Sequence, residues 1–199
     1  MRRAPVTVAA MVLLLAGAAC TTTTATSTDN DPSDSQLPTD LLHQPRAARK
    51  AVDAITEAVG ADPARVGEVD IYGEYMIVEA QDPDNAEHID SYTWRDDKVD
   101  APTPVMLSGP QEEVEAALFS TTAVRWQDIP EFVRAAEHAS ETATPIRIEE
   151  ARASYLYVER STSSDLDGRV VIRISISGPR RSGSVEMTAS GDILSVSVS

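Results

Sequence analysis

From Val69 to Val99 apolar residues recur at strand spacing: Val69 and Ile71, then Tyr75 and Ile77 interleaved with Met76 and Val78, then Tyr92 and Trp94. Successive side chains on a strand point to opposite faces, so each such run has a face that must be buried. A helical stripe precedes it. Ala48, Ala51, Val52, Ile55, Ala58 and Val59 are spaced for one face of a helix, and Gly60 supplies its stop. The order then begins again. Asp128 is a plausible N-cap with Pro130 in the first turn, followed by the stripe Ile129, Phe132, Val133, Ala136 and Ala139. Strand-like sequence resumes at Ile146 and Ile148 and continues through Val170, Ile172, Ile174 and Ile176, then Val185 and Met187. It ends with Ile193, Leu194, Val196 and Val198. The expectation is an α+β fold of two α-β-β-β(-β) halves, 41–109 and 110–199, with helices packed on antiparallel sheet. Asp96-Asp97 reads as a turn, Pro102 to Pro104 as a break, and Gln111 to Leu118 as a short linking helix.

The N-terminus sets the compartment. Arg2 and Arg3 precede an apolar run from Val8 to Ala19, too short to span a bilayer, which needs roughly 20 residues, but of signal-peptide length. Residues 1–19 are therefore expected to be a signal peptide. The segment Ala18-Ala19-Cys20 resembles the lipobox of bacterial lipoproteins, with Gly17 where that family usually has Leu. The resemblance implies acylation of Cys20 with diacylglycerol and palmitate, and a chain lipid-anchored to the cell membrane on its extracytoplasmic face. Two acyl chains are the minimum usually needed for stable anchoring. Residues 20–40 then form a tether, Thr-, Ser-, Asp- and Pro-rich with almost nothing to bury, and are expected to be disordered.

Charge and cysteine content narrow the function. The chain carries 17 basic and 32 acidic side chains, a net charge of −15. Losing residues 1–19 would remove two arginines and no acid. Such a surface repels a phosphate backbone, so nucleic acid is not an expected partner. It also repels an anionic leaflet, which leaves membrane attachment to the acyl chains. Cys20 is the single cysteine; once acylated, no thiol remains for a disulfide, a nucleophile or a sulfur-bound metal.

No residue pattern points to catalysis. There is no G-x-S-x-G elbow, no S-x-x-K and no phosphate-binding glycine loop. The histidines His43, His88 and His138 are too far apart for a ligand pair, so no zinc is expected. Asp82 to Asp90 is rich in oxygen ligands that would suit calcium, but lacks the EF-hand glycine and distal glutamate, and hairpin-turn work is the favoured account. No cofactor is expected, nor an enzyme. Recognition has two candidate sources. Arg180-Arg181 make a positive turn between Gly178 and Gly183 on an acidic molecule. The strand aromatics Tyr72, Tyr75, Tyr92, Trp94, Tyr155 and Tyr157 suit an interface if some face outward. Tyr75, Tyr92, Trp94, Arg180 and Arg181 are the expected partner contacts.

In element order the chain resembles tandem PepSY-type modules, or the paired helix-plus-sheet halves of the β-lactamase inhibitory protein, over roughly residues 46–199. Its Ala, Val, Asp and Arg usage resembles that of actinobacterial envelope lipoproteins. The resemblance implies non-catalytic binding of an envelope protein. A carrier or sensor of a small lipophilic or cell-wall molecule is the alternative, and a hydrolase the third reading. An enclosed apolar cavity would favour the carrier; a filled core with an exposed aromatic surface would favour protein binding.

Overall fold

The computed structural model describes residues 39–161, 166 and 168–199. The expected signal peptide, 1–19, the expected lipidation site Cys20 and the expected tether up to residue 38 lie outside the described residues. The first stripe forms helix α1, Ala47–Val59, closed by Gly60 in the left-handed region at φ 81°. Four strands follow: β1 Arg65–Ile71, β2 Tyr75–Asp82, β3 Asn85–Arg95 and β4 Lys98–Val99. Asp96 and Asp97 both take positive φ, the conformation a two-residue hairpin loop requires. A two-residue strand β5, Thr103–Pro104, precedes helix α2, Gln111–Ala117, and strand β6, Phe119–Ser120. After two 3-10 turns comes helix α3, Ile129–Thr142, then β7 Arg152–Arg160, β8 Val170–Ser177, β9 Ser182–Thr188 and β10 Ile193–Val198.

All pairings are antiparallel, and the strands form one sheet in the order β10-β9-β8-β7-β1-β2-β3-β4, with β5 beside β3 and β6 beside β1. The two helix-then-strands blocks thus join at β1 and β7, where Glu68, Val69, Asp70 and Ile71 face Glu159, Val158, Tyr157 and Leu156. The expected α+β class is what the chain adopts: α1 packs on β2, β3 and β4, and α3 on β7 to β10. Both helices lie on the sheet face that carries Val69, Met76, Val78, Trp94, Leu156, Val158, Ile172, Ile174, Val185 and Met187, all buried. Each such aliphatic side chain contributes about 1.5–3 kcal/mol when fully removed from water. Trp126, also buried, satisfies its indole N–H with the Thr121 carbonyl at 2.6 Å. Gly191, at φ 89°, passes beneath the Phe132 ring of α3, where an added Cβ would lie 2.3 Å from a ring carbon.

Two local expectations need correction. Ile146 and Ile148 are not in a strand. Pro145 ends the helical path, and the chain folds back so that the Ile148 N–H donates to the Ser140 carbonyl at 2.9 Å. Ile148 is buried and Ile146 exposed, and the strand begins only at Arg152. The Pro102 to Pro104 break also contains β5, which pairs Thr103 and Pro104 with Ser91 and Asp90. Proline is tolerated there because the strand is short and at the sheet edge.

Candidate functional site

The sheet face opposite α1 and α3 carries the site. Outward positions on β1 are Glu68 and Asp70, continuing to Tyr72; on β2 they are Tyr75, Ile77 and Glu79; on β7 they are Tyr155, Tyr157 and Glu159. Antiparallel register brings these side chains into two adjoining bands. The first is aromatic. The Tyr75 and Tyr72 rings stack at 4.4 Å between centroids, Tyr72 and Tyr155 at 5.2 Å, and Tyr155 and Tyr157 at 5.7 Å, all within 20° of parallel. The tight β1–β2 hairpin makes this possible, because the Tyr72 N–H donates to the Tyr75 carbonyl at 2.9 Å and sets the two rings side by side. Guanidinium groups cap both ends of the ladder: Arg95 lies 4.7 Å from the Tyr75 centroid and Arg173 5.1 Å from that of Tyr157. Arg173 also donates to the Tyr157 hydroxyl and reaches Glu186 at 3.5 Å.

The second band is acidic. Glu68 faces Glu79 on one side and Glu159 on the other, so three glutamates stand abreast across β2, β1 and β7, with Asp70 next along β1. Like charges directly opposite in a sheet are destabilising. Among the described residues none of these four carboxylates forms an ion pair within 4.0 Å. Partial burial, reinforced by the charge of Asp70 and a hydrogen bond with it, raises the Glu68 carboxyl above its ordinary range. Burial, with the charge of Glu79, also raises Asp70, against the hydrogen bond from Glu68. Glu79 rises through burial and the charge of Glu68. Glu159 rises through burial, opposed by Arg173. Burial and the nearby acids push the Tyr155 phenol up to about 12, so its hydroxyl is a donor at neutral pH.

Beside the acidic band, α2 and the segment leading into it cover part of the same face and leave a hollow of about 250 Å³. Its apolar wall includes Ile89, Leu107 and Leu118, and Glu68, Glu79 and Glu159 line it as well. Helix α2 is held over the sheet by Glu115, which meets Arg65 at 2.8 Å and Gln81 at 2.6 Å.

The expected contact residues separate in the structure. Tyr75 belongs to the ladder. Tyr92 and Trp94 do not: they are 5% and 1% exposed on the helix-facing side, because they pair with Val78 and Met76, the core positions of β2. They serve the core and cannot present a surface. Arg180 and Arg181 are exposed on the β8–β9 turn and line a separate open depression with Arg147, Glu149 and Glu150. Gly178 lets that turn close on the Glu149 carbonyl, 2.4 Å from where a Cβ would sit. In the Asp82 to Asp90 segment the turn itself is only Pro83-Asp84, because β3 starts at Asn85. Asp82 Oδ1 accepts from the Asp84 N–H at 2.8 Å, and the Asn85 side-chain oxygen accepts from the Glu87 N–H at 3.1 Å. Among the described residues no group of three or more His, Cys, Asp or Glu is placed to hold a metal ion.

The acidic band was the part missed from sequence. Its signal is the pair of patterns Glu68-x-Asp70-x-Tyr72 and Tyr155-x-Tyr157-x-Glu159, which sets Glu68 opposite Glu159, Asp70 opposite Tyr157 and Tyr72 against Tyr155 once the two strands pair antiparallel.

No family model matches the chain, and no curated protein matches it. Among solved structures, the fold is similar to that of a candidate lipoprotein from Clostridium difficile 630, with a TM-score of 0.53 at 10% identity, covering 80% of this chain and 99% of the other.

Proposed function

We propose that this chain is a membrane-anchored extracytoplasmic lipoprotein that acts as a non-catalytic binding module, docking an envelope protein on its open sheet face. The observation that carries the reading is the ladder of four stacked, half-buried tyrosines on a sheet face that α1 and α3 leave uncovered. Stacked rings of this kind are already ordered before binding, and tyrosine contributes disproportionately to interface energy at little conformational cost. The core beneath is filled by two tryptophans and close-packed aliphatics, which favours a surface role over an internal carrier cavity. The hollow under α2, at about 250 Å³, falls below the roughly 300–1,000 Å³ typical of small-molecule sites. The hydrolase alternative draws on the raised carboxyls, three of which line the hollow under α2, where no histidine, serine or cysteine among the described residues stands with them.

Anchoring is supported by the Cys20 context and by the likeness of fold to a candidate lipoprotein. No helix among the described residues is long and apolar enough to cross a membrane. The likeness to tandem PepSY-type modules and the β-lactamase inhibitory protein is part of the reading: each block contributes five strands to one shared sheet, four of them consecutive along it. Tethering by a lipid raises the effective concentration of the module near membrane partners, so a modest interface suffices.

The test is in-cell crosslinking followed by affinity purification and mass spectrometry of three proteins: the native chain, a Cys20→Ala variant, and a Tyr72→Ala/Tyr155→Ala variant. One envelope protein enriched by the native chain, weakened by Cys20→Ala and lost with the tyrosine pair, supports docking through the ladder. Enrichment unchanged by loss of the tyrosines refutes it.

A further inference from the structure

The ladder says where a partner docks; the band beside it says what kind of partner. We infer that the open sheet face takes a basic protein segment, whose lysine or arginine side chains lie over Glu79, Glu68 and Glu159 while neighbouring apolar residues run along the tyrosines. This rests on the open face being the docking surface. Three independent observations lead to it.

The first is charge. Four carboxylates are gathered on one patch of a chain of net charge −15, and among the described residues none of the four has a cation within ion-pair distance. Arg160 also lines the hollow, but its guanidinium donates to the Leu118 carbonyl at 3.0 Å and to the Gly168 carbonyl at 2.6 Å, and Arg173, whose charge reaches Glu159, is engaged by the Tyr157 hydroxyl and by Glu186 at 3.5 Å. The patch therefore complements a positive surface and repels a negative one.

The second is shape. The hollow has an apolar wall, including Ile89, Leu107 and Leu118, and carboxylates at hand in Glu68, Glu79 and Glu159. A long basic side chain has the matching division, an apolar stem with a charged head. At about 250 Å³ the space suits one such side chain. Met106, 97% exposed, and Leu107 stand just before α2 as apolar contacts for the residues on either side.

The third is an internal precedent. The molecule already lays its own guanidiniums on the two ends of the tyrosine ladder, Arg95 on Tyr75 and Arg173 on Tyr157. The face thus already combines guanidinium groups with tyrosine rings, so an arginine seated over the glutamates can border the ladder while apolar residues run along it.

The experiment titrates the full-length protein, purified in detergent micelles, with two fluorescent blocked peptides read by anisotropy. One alternates arginine with leucine, and the other alternates glutamate with leucine. The arginine peptide is expected to bind at least tenfold more tightly and to weaken with added salt. The Glu68→Gln/Glu159→Gln variant is expected to lose roughly tenfold or more of that affinity, the scale of hydrogen bonds to charged groups. Glutamine keeps the shape of the side chain, and a thermal melt of the same sample verifies that the variant is folded. Equal affinity for both peptides, or an arginine affinity untouched by the double substitution, overturns the inference. So does an arginine affinity that falls only when Glu149→Gln/Glu150→Gln is introduced at the other depression. The two levels fail separately. If crosslinking to an envelope protein depends on Tyr72 and Tyr155 but not on Glu68 and Glu159, docking through the ladder stands and the basic partner falls.

Discussion

Replacing Glu68 by glutamine should stabilise the protein. Glu68 is flanked by Glu79 on β2 and Glu159 on β7, both directly opposite in register, and its carboxyl is raised by burial and by the charge of Asp70 on its own strand. A like-charged pair facing across a sheet costs roughly 0.2–1 kcal/mol, so two such pairs amount to about 0.5–2 kcal/mol. Glu68 keeps an exposed carboxylate, and solvent screening brings the expected gain to the lower part of that range, about 0.5–1 kcal/mol. For a domain of this size that is a rise in Tm of about 1–4 °C. Glutamine can still hydrogen-bond Asp70, so only the charge is removed. The assay is thermal unfolding by circular dichroism at neutral pH and low salt, with Glu74→Gln, an exposed residue of the β1–β2 hairpin, as the control expected within about ±0.5 kcal/mol. The gain should shrink as salt is added. It should also shrink as pH falls. Folded-state values for Glu68, Asp70, Glu79 and Glu159 all lie above the ordinary carboxylate range, so the folded protein takes up protons before the unfolded chain does. The penalty is therefore complete above the folded values, is relieved as pH falls through them, and is gone by about pH 4, where the unfolded carboxyls titrate. A Tm lowered by Glu68→Gln at neutral pH, or a difference from wild type that grows on acidification, would refute the account of the acidic band.

Further predictions concern the frame that holds this face. Trp94→Ala empties a fully buried site beneath the ladder and should cost about 3–5 kcal/mol in urea unfolding; a cost under 1 kcal/mol would mean the ring is not core. Gly183→Ala places a Cβ 2.1 Å from the Ser197 carbonyl, so β9 and β10 must separate. Amide exchange should accelerate at Val196 and Val198 with a loss of about 1–3 kcal/mol, whereas unchanged protection there would count against the pairing. Ser140→Ala removes a buried hydroxyl that has no hydrogen-bond partner among the described residues and should raise stability by about 1 kcal/mol by chemical denaturation. A loss instead would mean the hydroxyl is satisfied in solution.

The sequence alone determined the elements and much of their order. Helix α1 is written in the spacing of Ala48, Ala51, Val52, Ile55 and Val59 and in the Gly60 stop, and β8 in the alternation of Ile172, Ile174 and Ile176 with Arg173 and Ser175, because these signals are local. The alternation also revealed that each strand has two faces. It could not say which face the helices would cover. Tyr92 and Trp94 look as suited to a surface as Tyr155 and Tyr157, and only the register of β2 with β3 sends the first two inward with Met76 and Val78. The tyrosine ladder and the glutamate row depend on strand neighbours far apart in the chain, above all on β1 lying beside β7. That pairing is a property of the assembled sheet, decided by which arrangement buries both apolar faces under α1 and α3 at once. The outward residues are brought together by that burial even though the glutamates repel one another, and the candidate site is the consequence.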